Sequence, residues 1–199
     1  TNFASTKYLF TGIGDYVTSP TKPTYDFYGS YAMNIQYPGT QVGPVSIKEG
    51  TVYDEIAVNF AFMMRPGGWV ENDDYLIAFC ADNTNQSLRK TLGLKPTTAG
   101  SGVFSSTFDL YLKDAGGSLD VVATTTTALQ SGVWYSVAIH FKHNSITNKT
   151  TAYVYVNETL ECSATVTNSS SYTSVQRFEF GNVGHTGVAE PGTWIDSIT

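Results

Sequence analysis

The sequence has few positive charges and no long hydrophobic run. Its 199 residues include 11 lysines and arginines against 17 aspartates and glutamates, a formal net charge of −6 at pH 7. Binding to nucleic acid requires clustered cations that neutralise the phosphate backbone, and the sequence has no such run. No apolar stretch approaches the roughly 18 residues of a membrane-spanning helix. The sequence therefore excludes nucleic acid as a partner and predicts no membrane insertion.

Cysteine is also scarce, since Cys80 and Cys162 are the only two. Two cysteines permit one disulfide but cannot supply a zinc site of four thiolates. Cys162 alternates with Leu160, Ala164 and Val166, which predicts that its side chain faces inward, where an unpaired thiol packs as a small hydrophobic group. The sequence leaves two states open: a disulfide between Cys80 and Cys162, or two free thiols.

Residues that favour β-strands dominate what remains. The chain is 41% hydrophobic and 14% aromatic, with 13 tyrosines, 11 phenylalanines and only 14% charged residues. Aromatic and β-branched residues favour strands, whereas helix formers such as Glu, Lys and Ala are scarce. No segment shows an apolar period of 3.6 residues. The composition predicts an all-β chain, and no linker-like shift or repeat divides it, so one domain over residues 1–199 is expected.

Two long segments alternate apolar and polar residues, the pattern of a strand with one buried face. In residues 55–65 the apolar set runs from Ile56 to Met64. Residues 133–141 repeat the pattern, and residues 151–156 follow as a hairpin partner that ends in a tight Asn-Glu turn. Other strands are predicted at residues 30–36, 51–54, 75–80, 88–94, 108–113, 121–126, 159–166, 175–180 and 193–198.

Several short motifs accompany these strands in a fixed order. After the long strand and a short one come Gly132-Val133-Trp134-Tyr135-Ser136-Val137, then Tyr153-Val154-Tyr155-Val156-Asn157, and finally Trp194-Ile195-Asp196-Ser197-Ile198. This order resembles the concanavalin A-like lectin/glucanase superfamily, in particular its laminin-G-like jelly-roll domains, from Tyr28 onward. The resemblance implies an all-β, two-sheet antiparallel β-sandwich, the concanavalin A-like jelly roll. Glu158 stands where that family usually has Gly after the asparagine.

The catalytic groups of enzymes with this fold are not found in the sequence. Glycosidases of the fold carry an alternating Glu-x-Asp-x-(x)-Glu strand, which places two carboxylates on one side of a cleft. Here Glu55 begins the polar face of the long strand, which continues with Ala57, Asn59 and Ala61 and is expected to be exposed. No Gly-x-Ser-x-Gly elbow is present. His140 is interpreted as an exposed strand residue rather than a base. The prediction is a protein that is not an enzyme.

Two groups of acidic side chains are candidates for a structural calcium ion. Asp73 and Asp74 end the acidic stretch 71–74, whose oxygens are of the kind calcium prefers, although a solvated hairpin loop is the simpler interpretation. The resemblance adds Asp196, which would join a calcium near the N-terminal segment together with Asp15 or Asp26. The alternative for Asp196 is a buried carboxylate that caps backbone amides.

Sugar binding needs an exposed aromatic ring that stacks on a pyranose, with polar groups nearby for the hydroxyls. Trp69 fits this requirement, because it follows a Pro-Gly-Gly turn and precedes the acidic stretch. Tyr25 and Tyr28 belong to an aromatic cluster that could serve in the same way. Asn182 and His185 occur in the Gly-rich segment 181–192, which is predicted to be a loop at one rim. These five side chains are the candidate ligand-binding residues.

Four glycosylation sequons occur, at Asn85, Asn148, Asn157 and Asn168. Such sequons favour an extracellular, cell-surface or virion-surface location, although a chain rich in Ser, Thr and Asn also produces them by chance.

The sequence as a whole predicts a non-catalytic, lectin-like carbohydrate-binding module with a glycan or polysaccharide as its partner. The alternative is a structural or adhesion domain of a viral, phage or cell-surface assembly, whose partners are protein subunits. A polysaccharide-degrading enzyme ranks third. Because the chain stops a few residues into its last predicted strand, a jelly-roll domain excised from a longer chain is one interpretation of its length.

Overall fold

The computed structural model describes residues 9–11, 33–35, 45–64, 75–81, 90–98, 103–168, 173–183 and 193–196, and it confirms the all-β class. No helix in these ranges is long and apolar enough to cross a membrane. The strands are β1 (Leu9–Thr11), β2 (Met33–Ile35), β3 (Val45–Tyr53), β4 (Glu55–Met64), β5 (Tyr75–Cys80), β6 (Lys90–Pro96), β7 (Ser105–Ser106), β8 (Phe108–Lys113), β9 (Leu119–Thr124), β10 (Leu129–Gln130), β11 (Trp134–Asn144), β12 (Lys149–Val156), β13 (Thr159–Thr167), β14 (Val175–Val183) and β15 (Thr193–Asp196).

Two large antiparallel sheets contain nearly all of these strands. The seven-stranded sheet has the order β1-β3-β14-β5-β6-β8-β9, and the six-stranded sheet has the order β13-β12-β11-β4-β15-β2. The short strands β7 and β10 pair only with each other among the described strands. Distant strands are neighbours in both sheets, for example β14 between β3 and β5, which is the long-range connectivity of a jelly roll.

Phenylalanine rings join the two sheets. Phe60 of β4 meets Phe180 of β14 edge to face, with ring centroids 5.3 Å apart, and Phe62 of β4 meets Phe108 of β8 in the same way at 6.3 Å. Because β4 lies in the six-stranded sheet and its partners lie in the seven-stranded sheet, these contacts cross the interior. Such pairs contribute about 0.5 to 1.5 kcal/mol beyond the burial of their area. The sheets therefore pack face to face, as predicted for a β-sandwich.

Most alternating segments form strands where the sequence predicted them. The strands β5 and β8 occupy the predicted residues, and β4 ends one residue before the predicted end. The strand β14 is longer than predicted, because its ladder with β5 resumes after a register shift and reaches Val183. Asn182 therefore belongs to a strand and not to a Gly-rich loop, which corrects that prediction. The strands β1, β7 and β10 are too short to show a period in the sequence.

The turn between β12 and β13 has the predicted two residues. Asn157 and Glu158 both have positive φ angles, 48° and 67°, as a type I′ hairpin turn requires. Asparagine adopts this conformation readily, but glutamate rarely does. The Asn157 side chain also accepts a hydrogen bond from the Ser136 amide at 3.0 Å, and this contact ties the turn to the neighbouring strand β11.

A bulge beside this turn changes the face of one side chain. The ladder register shifts between Val154 and Tyr155, so that Tyr155 pairs with Leu160 while Val154 pairs with Cys162. Leu160 is consequently 49% exposed, and the prediction that it faces inward was wrong. Cys162 does pack inward against the core as predicted, together with Ala164 and Val166.

The polar side of β4 is exposed along only part of its length. Ala57 and Asn59 are exposed, as expected, but Ala61 and Met63 are buried, which corrects the expectation of an exposed face throughout. Met63 pairs with Trp134 on one side and occupies the ladder position next to Trp194 on the other. The open part of this face therefore begins at Asn59 and extends towards Glu55.

Candidate functional site

The outward side chains of the seven-stranded sheet form one candidate surface, which we call the seven-stranded face. Ile77 and Phe79 of β5 pack in the core, so Ala78 and Cys80 point to the opposite side. The strand register extends this assignment to the neighbouring strands. The described members of the face on β5, β6, β8 and β14 are Ala78, Cys80, Lys90, Thr91, Gly93, Lys95, Asp109, Tyr111, Lys113, Arg177 and Glu179, and β9 adds Leu119, Val121 and Thr124.

One ladder row of this face runs across four strands through Glu179, Ala78, Gly93 and Tyr111. Alanine and glycine occupy the two middle positions and carry no long side chain. The middle of the row therefore has little side-chain volume and is buried, with the larger polar side chains of Glu179 and Tyr111 on either side of it. A glycine inside a strand is typical of places where another group approaches the backbone closely.

A buried ion pair lies at one end of this row. The Arg177 Nε atom is 3.0 Å from the Glu179 Oε1 atom, and the two side chains are only 2% and 0% exposed. Burial raises the pKa of Glu179, and the positive charges of Arg177 and Lys90 oppose that shift. Removing either partner of a buried pair leaves a charge without compensation, so this pair is a sensitive point of the structure.

The two cysteines are free thiols, so the disulfide that the sequence left open is not formed. Cys80 points away from the core on the seven-stranded sheet, whereas Cys162 packs towards the core on the six-stranded sheet. Burial raises the pKa of Cys80 to about 12 and that of Cys162 to about 11. Both thiols are therefore protonated at neutral pH and are poor nucleophiles.

The other end of the row is partly open to solvent. The Lys95 Nζ atom lies 5.5 Å from the centre of the Tyr111 ring, a cation–π distance, and both side chains are half-buried. Asp109 accepts a hydrogen bond from the Thr124 hydroxyl at 2.6 Å. Burial and the negative charge of Asp109 raise the pKa of Tyr111, so its phenol keeps its proton at neutral pH. This end offers an ammonium, a phenol and a carboxylate to a ligand.

The outward side chains of the six-stranded sheet form the second surface, which we call the six-stranded face. Glu55 accepts a hydrogen bond from Lys142 at 2.9 Å and lies 3.0 Å from the His140 Nε2 atom. These contacts lower the pKa of Glu55, with the Lys142 hydrogen bond as the larger cause. The His140 ring stacks on the Tyr153 ring, with centroids 5.6 Å apart and planes 23° apart. His140 is therefore a half-exposed strand residue, as the sequence predicted, but it has ordered partners.

Most of the predicted site residues lie outside the described residues. Asn182 is in β14, and Asp196 is in β15, where it occupies the ladder position opposite Ala61. Among the described residues, no three His, Cys, Asp or Glu side chains lie close enough together to hold a metal ion. The predicted ligand and calcium residues outside the described ranges are Trp69, Tyr25, Tyr28, His185, Asp15, Asp26, Asp73 and Asp74.

The sequons differ in their accessibility. Asn157 and Asn148 are exposed, and the Asn148 amide donates a hydrogen bond to the Asn168 carbonyl at 2.7 Å. Asn168 is only 1% exposed, and its amide donates to the Thr150 hydroxyl at 2.8 Å. A glycan on Asn168 would have to replace this buried contact, so Asn168 is the least accessible of the described sequons. Asn85 lies outside the described residues.

The cationic and aromatic groups of the seven-stranded face were not predicted as site residues. The segment 175–180 alternates Arg177 and Glu179 with phenylalanines, which correctly indicates outward-facing charges but not their burial. The alternation in residues 108–113 likewise indicates an outward Tyr111. The pairing of β6 with β8, which brings Lys95 beside that ring, could not be derived from either segment alone.

Comparisons with known proteins identify the fold. The sequence matches no protein-family model and no curated protein. Among solved structures, the endo-beta-1,4-glucuronan lyase from the fungus Trichoderma reesei has a TM-score of 0.60 at 14% identity over 86% of this chain and 81% of that chain. The alginate lyase vAL-1 from Chlorella virus has a TM-score of 0.57 at 10% identity over 90% and 88% of the two chains.

A third similar structure is the receptor binding domain of botulinum neurotoxin D, with a TM-score of 0.50 at 13% identity. The match covers 83% of this chain but only 39% of the toxin domain. At these identities the likeness concerns the fold alone. The chain is therefore a jelly-roll β-sandwich, as the resemblance implied, while the laminin-G-like branch stays a prediction.

Proposed function

We propose that this domain binds carbohydrate, and that the seven-stranded face takes an acidic polysaccharide. The observation that carries the proposal is the charge of this face. Its described side chains include four cations against the two acids Asp109 and Glu179. Lys90, Lys113 and Arg177 are buried, so Lys95, which lies opposite Asp109 in the ladder, is the accessible cation among the described residues of the face. The chain as a whole has 11 cations against 17 acids, so the charge balance of this face is the reverse of the average.

An accessible ammonium group favours a negatively charged ligand, because it pairs with carboxylates, and the buried cations beneath it add to the positive potential of the face. Ala78 and Gly93 are buried, so a polymer would lie at the accessible end of the row, where Asp109, Tyr111 and Lys95 reach solvent. Of these, Lys95 and Tyr111 offer one charge-assisted hydrogen bond and one apolar ring surface. The names of two similar structures, a glucuronan lyase and an alginate lyase, denote enzymes that act on polymers of uronic acids.

Affinity electrophoresis in gels containing alginate or polyglucuronate tests the proposal. We expect both polymers to retard the wild-type domain and Lys95→Gln to weaken the binding about fivefold, the value of one charged contact of about 1 kcal/mol. The matched control is Lys149→Gln, which removes the same charge from an exposed position at the end of β12. Absence of retardation, or an equal effect of the two substitutions, rules the proposal out.

Cleavage of such a polymer is the second candidate function. It is favoured by the position of Tyr111, whose phenol lies on the same face as the Lys95 ammonium, so that a hydroxyl group and a cation are adjacent there. β-Elimination of a polyuronate produces an unsaturated sugar that absorbs ultraviolet light, so prolonged incubation with either polymer distinguishes the candidates. Binding alone predicts constant absorbance. An increase that Tyr111→Phe abolishes would establish an enzyme instead.

An extracellular or virion-surface location and a structural calcium ion remain parts of the proposal that derive from the sequence. The candidate residues Trp69, Tyr25 and Tyr28 also stay proposed contributors to sugar binding.

A further inference from the structure

The six-stranded face has a different chemical character, and we propose that it is a second binding site that takes an uncharged glycan. This inference does not rest on the acidic polysaccharide site, because it concerns the opposite side of the sandwich. Its basis is a shallow trough formed by two ladder rows. One row is Asn59, Ala138, Tyr155 and Leu160, and the other is Ala57, His140, Tyr153 and Ser163.

The trough has a low floor and an aromatic side. Ala57 on β4 and Ala138 on β11 are diagonal neighbours that carry only methyl groups. Beside them lie Tyr155 of β12, next to Ala138, and His140 of β11, which is next to Ala57 and stacks on Tyr153 of β12. The two alanines and two tyrosines are half-buried or exposed, so the floor and the side both reach solvent. A pyranose ring on this floor would contact tyrosine carbon atoms at its side, which is the usual apolar component of sugar recognition.

Polar side chains that make no hydrogen bond to described protein groups lie around Ala138. Within the part of the chain that the structure describes, the side chains of Asn59 and Ser136 and the phenol of Tyr155 make no hydrogen bond to protein. Each can donate as well as accept, which matches the hydroxyl groups of a sugar. Their positions flank Ala138 on three sides, through the ladder pairs with β4 and β12 and along β11 itself.

The charges near the trough favour an uncharged ligand. The two rows contain no lysine, arginine, aspartate or glutamate among their described residues. In the adjacent row Glu55 is already paired with Lys142 and His140, and all three are partly exposed. A neutral ligand needs no charged partner on this surface, whereas an ionic ligand would have to break the contacts of Glu55 with Lys142 and His140 to form an ion pair.

A protein partner fits this surface less well. The cores of protein interfaces are rich in large apolar groups, but Leu160 is the only large exposed aliphatic side chain in the two rows. The remaining positions are small or polar. Hydroxyl-rich, uncharged polysaccharide is the chemical class that the surface suits best.

Titration calorimetry with soluble neutral polysaccharides, namely mixed-linkage β-glucan, galactomannan and arabinoxylan, tests this site. We expect at least one polymer to bind, with an affinity that changes little between low and high salt. Tyr155→Ala should weaken binding about tenfold, the factor for loss of an aromatic contact of about 1.4 kcal/mol. Ala138→Gln, which fills the floor without adding charge, should weaken binding at least as much.

Thr167→Ala is the matched control, because Thr167 is an exposed residue of the same sheet near the opposite end of β13. It should leave the affinity within about twofold of wild type, a smaller change than the loss of a single hydrogen bond would cause. Lys95→Gln should also leave it unchanged, so that failure at this site and failure at the seven-stranded face are distinguishable. If no neutral polymer binds, or if Ala138→Gln and Tyr155→Ala both bind like wild type, the inference is wrong. If Ala138→Gln converts a wild-type dimer to a monomer in light scattering, the face is a self-association surface instead.

Discussion

The two outer faces of the sandwich carry similar residues in very different surroundings. Each face has a carboxylate paired with a cation at about the same distance, 3.0 Å for Arg177 and Glu179 and 2.9 Å for Lys142 and Glu55. The first pair is almost completely buried, whereas the second is about half exposed. The difference shows that alternation along a strand assigns a side chain to a face but does not determine whether that face is open.

The largest effect is expected from breaking the buried pair. Arg177→Leu leaves the Glu179 carboxylate buried without its nearest cation, which should cost about 3 to 5 kcal/mol of unfolding free energy. Urea denaturation measures this loss. The double variant Arg177→Leu with Glu179→Leu should recover most of the stability, because the Glu179 carboxylate is then no longer buried without Arg177. If the double variant is no more stable than the single one, the buried pair is not what the Arg177 substitution disrupts.

A smaller effect is expected where the two sheets meet. Glu161 of β13 accepts hydrogen bonds from the amides and hydroxyls of Thr126 and Thr127, which follow β9 of the other sheet. Burial raises the pKa of Glu161, but these hydrogen bonds outweigh it and hold the pKa below its usual value. Glu161→Gln should therefore destabilise the fold by about 1 kcal/mol at neutral pH.

The pH dependence of this effect has a definite sign. A carboxylate whose pKa is lower in the folded state stabilises the protein above the unfolded pKa, and this stabilisation is lost as the pH falls through the folded pKa. The difference in unfolding free energy between wild type and Glu161→Gln should accordingly become smaller as the pH is lowered. A difference that is constant from neutral to acidic pH would show that the lost interaction does not depend on the carboxylate charge.

The smallest effect is expected for the exposed pair. Lys142→Ala removes a contact that solvent and salt already screen, so thermal unfolding should show no resolved change. His140 remains beside Glu55 in this variant. A loss of stability comparable to that of Arg177→Leu would show that the exposed pair stabilises the fold as much as the buried pair does.

The sequence was sufficient to predict the all-β class and most of the strands. The strict alternation of Ile56, Val58, Phe60, Phe62 and Met64 predicted a long strand with one buried side, because a period of two residues has no other common explanation. Leu160 was assigned to the wrong face of the sheet because a bulge inserts one extra residue into β13. The local sequence pattern does not indicate this bulge. Met63 was assigned to the exposed side of its strand, but it is buried, because its burial depends on the neighbouring strands.

The candidate site was much less predictable. The pairings that bring Lys95 to Tyr111 and Lys90 to Cys80 join strands from different parts of the chain, and the second follows a register shift. The alternation of β11 and β12 did predict the outward residues of the six-stranded face, including His140 and Tyr153. It could not indicate that alanines on β4 and β11 would form a floor beside the tyrosines, because that depends on the register between the strands.

The salt dependence of polyuronate binding tests the central claim most directly. If the cations of the seven-stranded face bind an acidic polysaccharide, the association constant for alginate should fall steadily as sodium chloride increases. The slope should be shallower in Lys95→Gln than in Lys149→Gln. An association constant that does not depend on salt, or equal slopes for the two variants, would contradict the claim that this face recognises the charge of the polymer.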